Sequence, residues 1–194
     1  MTVVIESDKI GKNFRLGQYS IIRENVTIGN DVEIAEHCVV GCMPLSFNKD
    51  SIRTIPQRDI PKGKIVIGNN VFMNSHSDIV MALEGVTTIE DNVIMGQRVI
   101  VGHDSHIHKN IQLMNAVVLN GYVTIGEFTM VGTGAFVRNR ITIGKNCVIG
   151  QGSNVVKDIP DNVIAYGNPC VVHGNNDLAT KIVRKITKEV KKVI

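Results

Sequence analysis

Three histidines lie close together in the middle of the chain: His103, His106 and His108, and His103 is followed directly by Asp104. The charge of a histidine changes near neutral pH, so its ring can accept a proton from a hydroxyl or an amine. A neighbouring carboxylate can orient the ring and stabilise its charged form. The pair His103–Asp104 is therefore a candidate general base. On these residues alone, a solvated pair without a chemical role is an equal alternative.

The elements that must position this pair repeat with a period of six residues. From Val93 to Asp158 the chain divides into blocks of six, and the third position of every block is aliphatic. The first position is mostly small or β-branched, and the second is mixed and often polar. Positions one and three should therefore point to one side of a short strand and position two to the other. Gly or Asn is common at position four, where we expect the chain to turn.

The same six-residue frame runs through residues 8–40 and again from Ile65 to Ala82. The sequence thereby resembles the hexapeptide-repeat proteins, in which three blocks form one triangular coil. The resemblance implies an all-β fold, a left-handed parallel β-helix of about seven coils over residues 1–173. An antiparallel sandwich does not explain a phase that is held for so many blocks.

Proline marks where this helix should be interrupted, because proline cannot donate to a β-ladder. Three of the five prolines lie in segment 42–63 and two follow the last block. We expect segment 42–63 to form an extruded loop, which is either functional or a tolerated insertion. Apolar residues at helical spacing near the end predict a short C-terminal α-helix over 174–194.

Charge and hydropathy exclude several classes of partner. The net charge of +3 comes from the last 14 residues, which carry six Lys or Arg and one Glu, so the rest has a net charge of −2. A general basic surface for nucleic acid is thus not expected. The longest apolar run, Ile79 to Leu83, is too short to span a membrane. The start resembles no signal peptide, and the four cysteines form no disulfide framework, so a cytoplasmic location is expected.

Residues 87–169 resemble hexapeptide-repeat acyltransferases, in particular the UDP-N-acetylglucosamine acyltransferases of lipid A synthesis. They also resemble sugar acetyltransferases of the sialic-acid and bacillosamine type. The HD or HE pair and the closing GNP of the latter correspond to His103-Asp104 and Gly167-Asn168-Pro169. The resemblance implies a homotrimer that transfers an acetyl group from acetyl-CoA to a hydroxyl or amine of a sugar or nucleotide-sugar, without a metal.

The resemblance also implies roles for individual residues. His103 would be the general base, Asp104 its carboxylate partner, and Gly121 the backbone donor to the thioester oxygen. The expected CoA contacts are Gly132, Thr133, Gly150, Gln151 and Lys157. The expected acceptor contacts are Tyr122, Arg138 and Asn139. These last three replace two histidines and a glutamine of the lipid A enzymes, which favours acetyl-CoA over an acyl-carrier protein.

Other functions remain open at this stage. One is an acyl-carrier-protein-dependent UDP-sugar acyltransferase. Another follows from the H-x4-H spacing of His103 and His108, which is that of the zinc histidines in γ-class carbonic anhydrases, with His76 as a candidate third ligand. A third is a structural β-helix without chemistry.

Overall fold

A computed structural model of the chain describes residues 3–44, 63–83 and 85–176. The described residues form 24 short strands and no helix. The strands lie in three sheets, which we name A, B and C. Sheet A contains β1 (Val4–Ile5), β4 (Ile21–Ile22), β7 (Val39–Cys42), β10 (Asp78–Val80), β13 (Ile100–Val101), β16 (Val118–Leu119), β19 (Phe136–Val137) and β22 (Asn154–Val155). Sheet B contains β2 (Lys9–Ile10), β5 (Val26–Ile28), β8 (Lys64–Ile67), β11 (Val86–Ile89), β14 (His106–Ile107), β17 (Thr124–Ile125) and β20 (Thr142–Ile143). Sheet C contains β3 (Arg15–Leu16), β6 (Glu33–Ile34), β9 (Phe72–Met73), β12 (Ile94–Met95), β15 (Gln112–Leu113), β18 (Met130–Val131), β21 (Val148–Ile149), β23 (Val163–Tyr166) and β24 (Val171–Asn175).

Successive strands pass from sheet A to B to C, and the chain then returns to A one coil further on. In sheet A, Ile100 pairs in parallel with Val118, and Val118 with Phe136, so one regular coil has 18 residues, or three blocks. This is a parallel β-solenoid, consistent with the predicted left-handed β-helix. It has about eight turns rather than about seven. The prediction was one short because the strand Val4–Ile5 precedes the first block recognised in the sequence and pairs with β4.

The interior confirms the predicted alternation along each block. From Met95 to Val155, every third-position residue is at most 1% exposed, and the first-position residues face the same core. Mainly aliphatic side chains thus fill the interior of the prism. Any ligand site among the described residues therefore lies on the outer faces and corners.

The corners correct one detail of the prediction. In most blocks the chain turns at positions five and six, and the residue at position six is left-handed, with φ between 54° and 62° where it is not glycine. Ala82 and Asp158, which occupy the same position, are not left-handed. Position four, predicted as the turn, is where neighbouring coils approach closely. A Cβ added to Gly102, for example, would lie 2.4 Å from the backbone carbonyl carbon of Asn120 in the next coil. Glycine is used there for close backbone packing and not for its conformational freedom.

Two predicted segments lie largely outside the described residues. Of the loop predicted at 42–63, residues 45–62 are not described. Cys42 still belongs to β7 in sheet A, and Gly63 directly precedes β8 in sheet B. The described ends of the segment therefore lie at the corner between these sheets.

Residues 177–194 of the predicted C-terminal helix are likewise not described. Gly174 and Asn175, at the start of that range, belong to β24 instead of a helix. This strand pairs antiparallel with β23 and covers the last edge of sheet C. Within the described ranges, no helix is long and apolar enough to cross a bilayer.

The three outer faces differ in polarity. Position-two side chains point outward, and those of sheets A and C are mainly apolar: Ile21, Val39, Ile100, Val118 and Phe136 on A, and Phe72, Ile94, Met130, Val148 and Ile164 on C. The corresponding row of sheet B is mainly polar: Lys9, Thr27, Val66, Thr88, His106, Thr124 and Thr142. Two of the three faces are thus suited to contact with another protein surface.

Candidate active site

Most of the predicted site residues lie at one corner of the prism. The 18-residue coil stacks His103, Gly121, Asn139 and Lys157 at position five of the corner between sheets A and B. We name the corner residues 102–104, 120–122, 138–140 and 156–158 the A–B column. At about 4.8 Å per coil, Lys157 lies about 14 Å from His103 along this column.

His103 and Asp104 are held together at the base of the A–B column. His103 Nδ1 lies 3.0 Å from Asp104 Oδ2, and the side chains are 20% and 7% exposed. A carboxylate only accepts hydrogen bonds, so in the neutral ring this contact assigns the hydrogen to Nδ1 and leaves the lone pair on Nε2. This is the tautomer that a general base requires.

The carboxylate of Asp104 is itself fixed by backbone donors. Leu83 N–H donates to Oδ2 and Gly85 N–H to Oδ1, each at 2.8 Å. The backbone N–H of Asp104 donates to the buried hydroxyl of Thr87 at 2.9 Å. Sequence reasoning missed these three residues. The only signal in the sequence was a break in the six-residue frame, which ends at Ala82 and restarts at Thr87, four residues late. The extra residues place N–H groups beside Asp104.

Gly121 lies directly against the His103 ring. A Cβ added there would lie 2.4 Å from Cε1 and 2.5 Å from Nε2 of His103, so any larger residue would displace the ring. The Gly121 carbonyl accepts a hydrogen bond from Arg140 N–H at 3.0 Å. No described residue accepts a hydrogen bond from the Gly121 N–H. The corner thus offers a backbone donor adjacent to the candidate base.

The upper part of the A–B column is aromatic and cationic. The Tyr122 ring meets the His103 ring edge-on, with centroids 5.0 Å apart. The guanidinium of Arg140, which the sequence analysis did not select, lies 4.2 Å from the Tyr122 ring centroid in a cation–π contact. Arg138, Asn139 and Lys157 are exposed. Three cationic side chains therefore border the corner beyond His103.

Four of the predicted CoA contacts are not at this corner. Gly132, Thr133, Gly150 and Gln151 stack at the corner between sheets C and A. That corner is the opposite edge of sheet A from His103, and a single chain does not bring the two groups together. A ligand that contacted both would have to cross sheet A or bind between protomers.

The three histidines considered for zinc lie at three different corners. His103 is at the A–B corner, His108 is at the corner between sheets B and C, and His76 is at the corner between sheets C and A. His76 stacks on His37, with ring centroids 4.9 Å apart. A metal held by all three would need ligands from more than one protomer.

His106 and His108 instead meet Glu90 from the preceding coil. Glu90 Oε1 lies 2.7 Å from His106 Nε2 and 3.0 Å from His108 Nδ1. Partial burial raises the pKa of Glu90, but the hydrogen bond from His106 and the charges of both rings outweigh it and lower this pKa overall. Glu90 therefore presents an ionised carboxylate to both rings.

Comparison with known proteins agrees with the repeat and the fold. Residues 9–42 and 122–157 match the family model of the bacterial transferase hexapeptide (six repeats). The chain thus carries the hexapeptide repeat of bacterial transferases, and the predicted resemblance is confirmed.

The particular relatives are acyltransferases by name. The chain is 34% identical over 154 residues to the acyl-[acyl-carrier-protein]–UDP-N-acetylglucosamine O-acyltransferase of Burkholderia orbicola, covering 77% of this chain and 55% of that protein. It is 37% identical over 115 residues to the galactoside O-acetyltransferase of Escherichia coli, covering 58% of this chain and 55% of that protein. The chain therefore matches little more than half the length of these relatives.

Solved structures show the same fold. The UDP-N-acetylglucosamine acyltransferase of Bacteroides fragilis superposes with a TM-score of 0.80 at 19% identity, covering 95% of this chain and 80% of that one. The enzyme of the same name from Campylobacter jejuni superposes with a TM-score of 0.73 at 24% identity, covering 97% and 81%.

Proposed function

We propose that this protein transfers an acetyl group from acetyl-CoA to a hydroxyl or amine of a sugar or nucleotide-sugar, with His103 as general base. The observation that carries the proposal is the His103–Asp104 pair, whose ring packs on Gly121. The names of the relatives, which include both a UDP-sugar acyltransferase and a galactoside acetyltransferase, support the same class of reaction.

The residues at the corner supply each step of such a transfer. Nε2 of His103 takes the proton from the acceptor as its oxygen or nitrogen attacks the thioester carbonyl. The Gly121 N–H donates to the oxygen that becomes negative, and Asp104 stabilises the imidazolium. When the tetrahedral intermediate collapses, the carbon–sulfur bond breaks, and the imidazolium returns its proton to the leaving thiolate. Atoms and charge balance without a metal.

The charges of the A–B column favour a donor or acceptor that carries phosphate. Arg138, Arg140 and Lys157 are exposed cations above His103, and guanidinium and ammonium groups bind phosphate through charge-assisted hydrogen bonds. We assign Lys157 to a phosphate of CoA, and Tyr122, Arg138 and Asn139 to the acceptor. The C–A corner, with Gly132, Thr133, Gly150 and Gln151, would contact the CoA arm from a neighbouring protomer.

The outer faces support the proposed homotrimer. A closed ring uses two different surfaces of each protomer, because every interface is heterologous. Sheets A and C present two apolar rows that flank one shared corner, while sheet B is polar. A groove next to sheet A would then have His103 on one side and the neighbouring protomer on the other.

Charge introduced on sheet A should separate the protomers. Phe136 is 43% exposed on that face, and burial of its ring in an interface would make Phe136→Glu costly. We expect Phe136→Glu to convert the trimer into monomers in light scattering, with the β-rich circular dichroism spectrum retained. Thr142→Glu, in the same coil but on sheet B, is the matched control and should leave the trimer intact. A wild-type monomer, or equal effects of the two variants, would contradict the assignment.

A two-way panel tests the proposed reaction itself. One arm compares acetyl-CoA with acetylated and long-chain acyl-carrier protein as donor, and the other compares nucleotide-linked amino sugars with free glycans as acceptor. Release of free thiol is the readout, and a chelator is added in parallel. We expect turnover with acetyl-CoA that survives chelation. Use of the carrier protein alone would favour the acyl-carrier-protein-dependent alternative, and loss of turnover on chelation would favour a metal enzyme.

A further inference from the structure

We propose that Glu90, His106 and His108 form a binding site for one divalent transition-metal ion of the zinc type, at the corner between sheets B and C. In the described part of the chain, they are the one group of three or more His, Cys, Asp or Glu side chains placed to hold a metal. Each of the three offers one ligand atom, and these three atoms all lie within 4.8 Å of one another. This site lies beyond the proposed acetyl transfer and shares no residue with it.

The distances are close to those that a zinc ion requires. Zinc binds imidazole nitrogen and carboxylate oxygen at about 2.0–2.1 Å, which separates tetrahedral ligand atoms by roughly 3.4 Å. The carboxylate oxygen now lies 2.7 Å and 3.0 Å from the two nitrogens, in hydrogen bonds. Insertion of the ion needs these atoms to part by a few tenths of an ångström, and it needs each ring to carry its hydrogen on the nitrogen that does not face Glu90. Side chains that are 31–43% exposed have the room to do so.

The three side chains are held in place by contacts other than a metal. The second oxygen of Glu90 accepts a hydrogen bond from Lys109 N–H at 3.1 Å. The rings of His106 and His108 stack with their centroids 4.1 Å apart, so both present nitrogens on the side of Glu90. Little side-chain order would have to be gained on binding, which favours affinity.

The chemistry of the ligands selects the metal. Two imidazoles and one carboxylate suit zinc and its neighbours, whereas calcium and magnesium prefer oxygen ligands throughout. Three protein ligands leave at least one position for water. Because Glu90 comes from the coil before that of His106 and His108, a bound ion would tie two coils together and stabilise the folded state.

The test is a calorimetric titration of the chelator-treated full chain with zinc chloride. We expect one ion per chain. Glu90→Gln, His106→Gln and His108→Gln should each weaken binding by at least about 10-fold, because loss of a residue that only orients a metal ligand already lowers metal affinity by about that factor. His37→Gln removes an exposed histidine from another corner and should leave binding unchanged.

Thermal unfolding provides an independent measurement. The zinc-induced change in melting temperature is compared within each variant, so a variant that is less stable without zinc can still be tested. At the same zinc concentration, the melting temperature should rise more for the wild type and His37→Gln than for the three site variants. Absence of stoichiometric binding to the wild type, or binding that is equally strong in the three site variants, would overturn the proposal.

Discussion

Replacement of His103 by alanine should lower the turnover number for acetyl transfer by about 10²–10⁴-fold, the usual contribution of a positioned general base. The fold should be retained, because His103 lies at a corner and adds nothing to the aliphatic interior formed by positions one and three. CoA binding should also be nearly unchanged, since Lys157 and the other proposed CoA contacts lie in other coils. Steady-state kinetics with acetyl-CoA measures the first effect, and circular dichroism and CoA titration measure the others.

Two further variants separate catalysis from a general disturbance of the site. Asp104→Ala should reduce turnover less than His103→Ala. Asp104 orients the base and stabilises its protonated form, but it does not accept the substrate proton. His37→Gln, at a different corner, is the histidine control and should retain wild-type turnover. Near-normal turnover of His103→Ala would contradict the assignment. It would indicate that the base lies elsewhere, or that the acceptor is an amine already deprotonated in the complex.

Gly121→Ala should also be strongly impaired, with turnover lower by about 10²-fold, the loss that a displacement of about 1 Å at a reacting group can cause. The added methyl would lie 2.4–2.5 Å from the Cε1–Nε2 edge of His103, so the ring must move away from its position beside the Gly121 N–H. The backbone of Gly121 itself can accept alanine, because its φ is not in the left-handed region. The measurement is turnover together with the melting temperature.

A double-mutant cycle distinguishes this steric effect from simple loss of stability. In a His103→Ala background the clash is removed. Adding Gly121→Ala to that variant should therefore lower turnover and melting temperature only slightly further. Gly174→Ala, where an added Cβ meets nothing within 4 Å, is the control for glycine replacement. Equal and additive losses in both backgrounds would show that the ring and the glycine act independently.

The repeat made much of this architecture predictable from sequence. Whether a residue faces inward or outward depends on its place in a six-residue block, and that is a local property of the chain. The aliphatic third positions therefore identified the core. The adjacency of His103 and Asp104 needed no tertiary information at all.

What the sequence did not determine is contact between coils where the repeat is irregular. Asp78 pairs with Ile100, four residues more than a regular coil, and these extra residues bring the N–H groups of Leu83 and Gly85 to the carboxylate of Asp104. The strand Val4–Ile5 belongs to no recognisable block and was missed for the same reason.

The contacts that a residue makes across coils at its corner were also decided only by the tertiary structure. The predicted CoA contacts at 132–133 and 150–151 fall on the other edge of sheet A from His103, and the three histidines considered for zinc fall on three corners. Glu90, which no motif marked, instead meets His106 and His108 from the coil before theirs. The physical reason is that a hexapeptide phase fixes the direction of a side chain within its own coil, whereas its neighbours come from other coils. Those neighbours depend on how many residues each intervening turn contains.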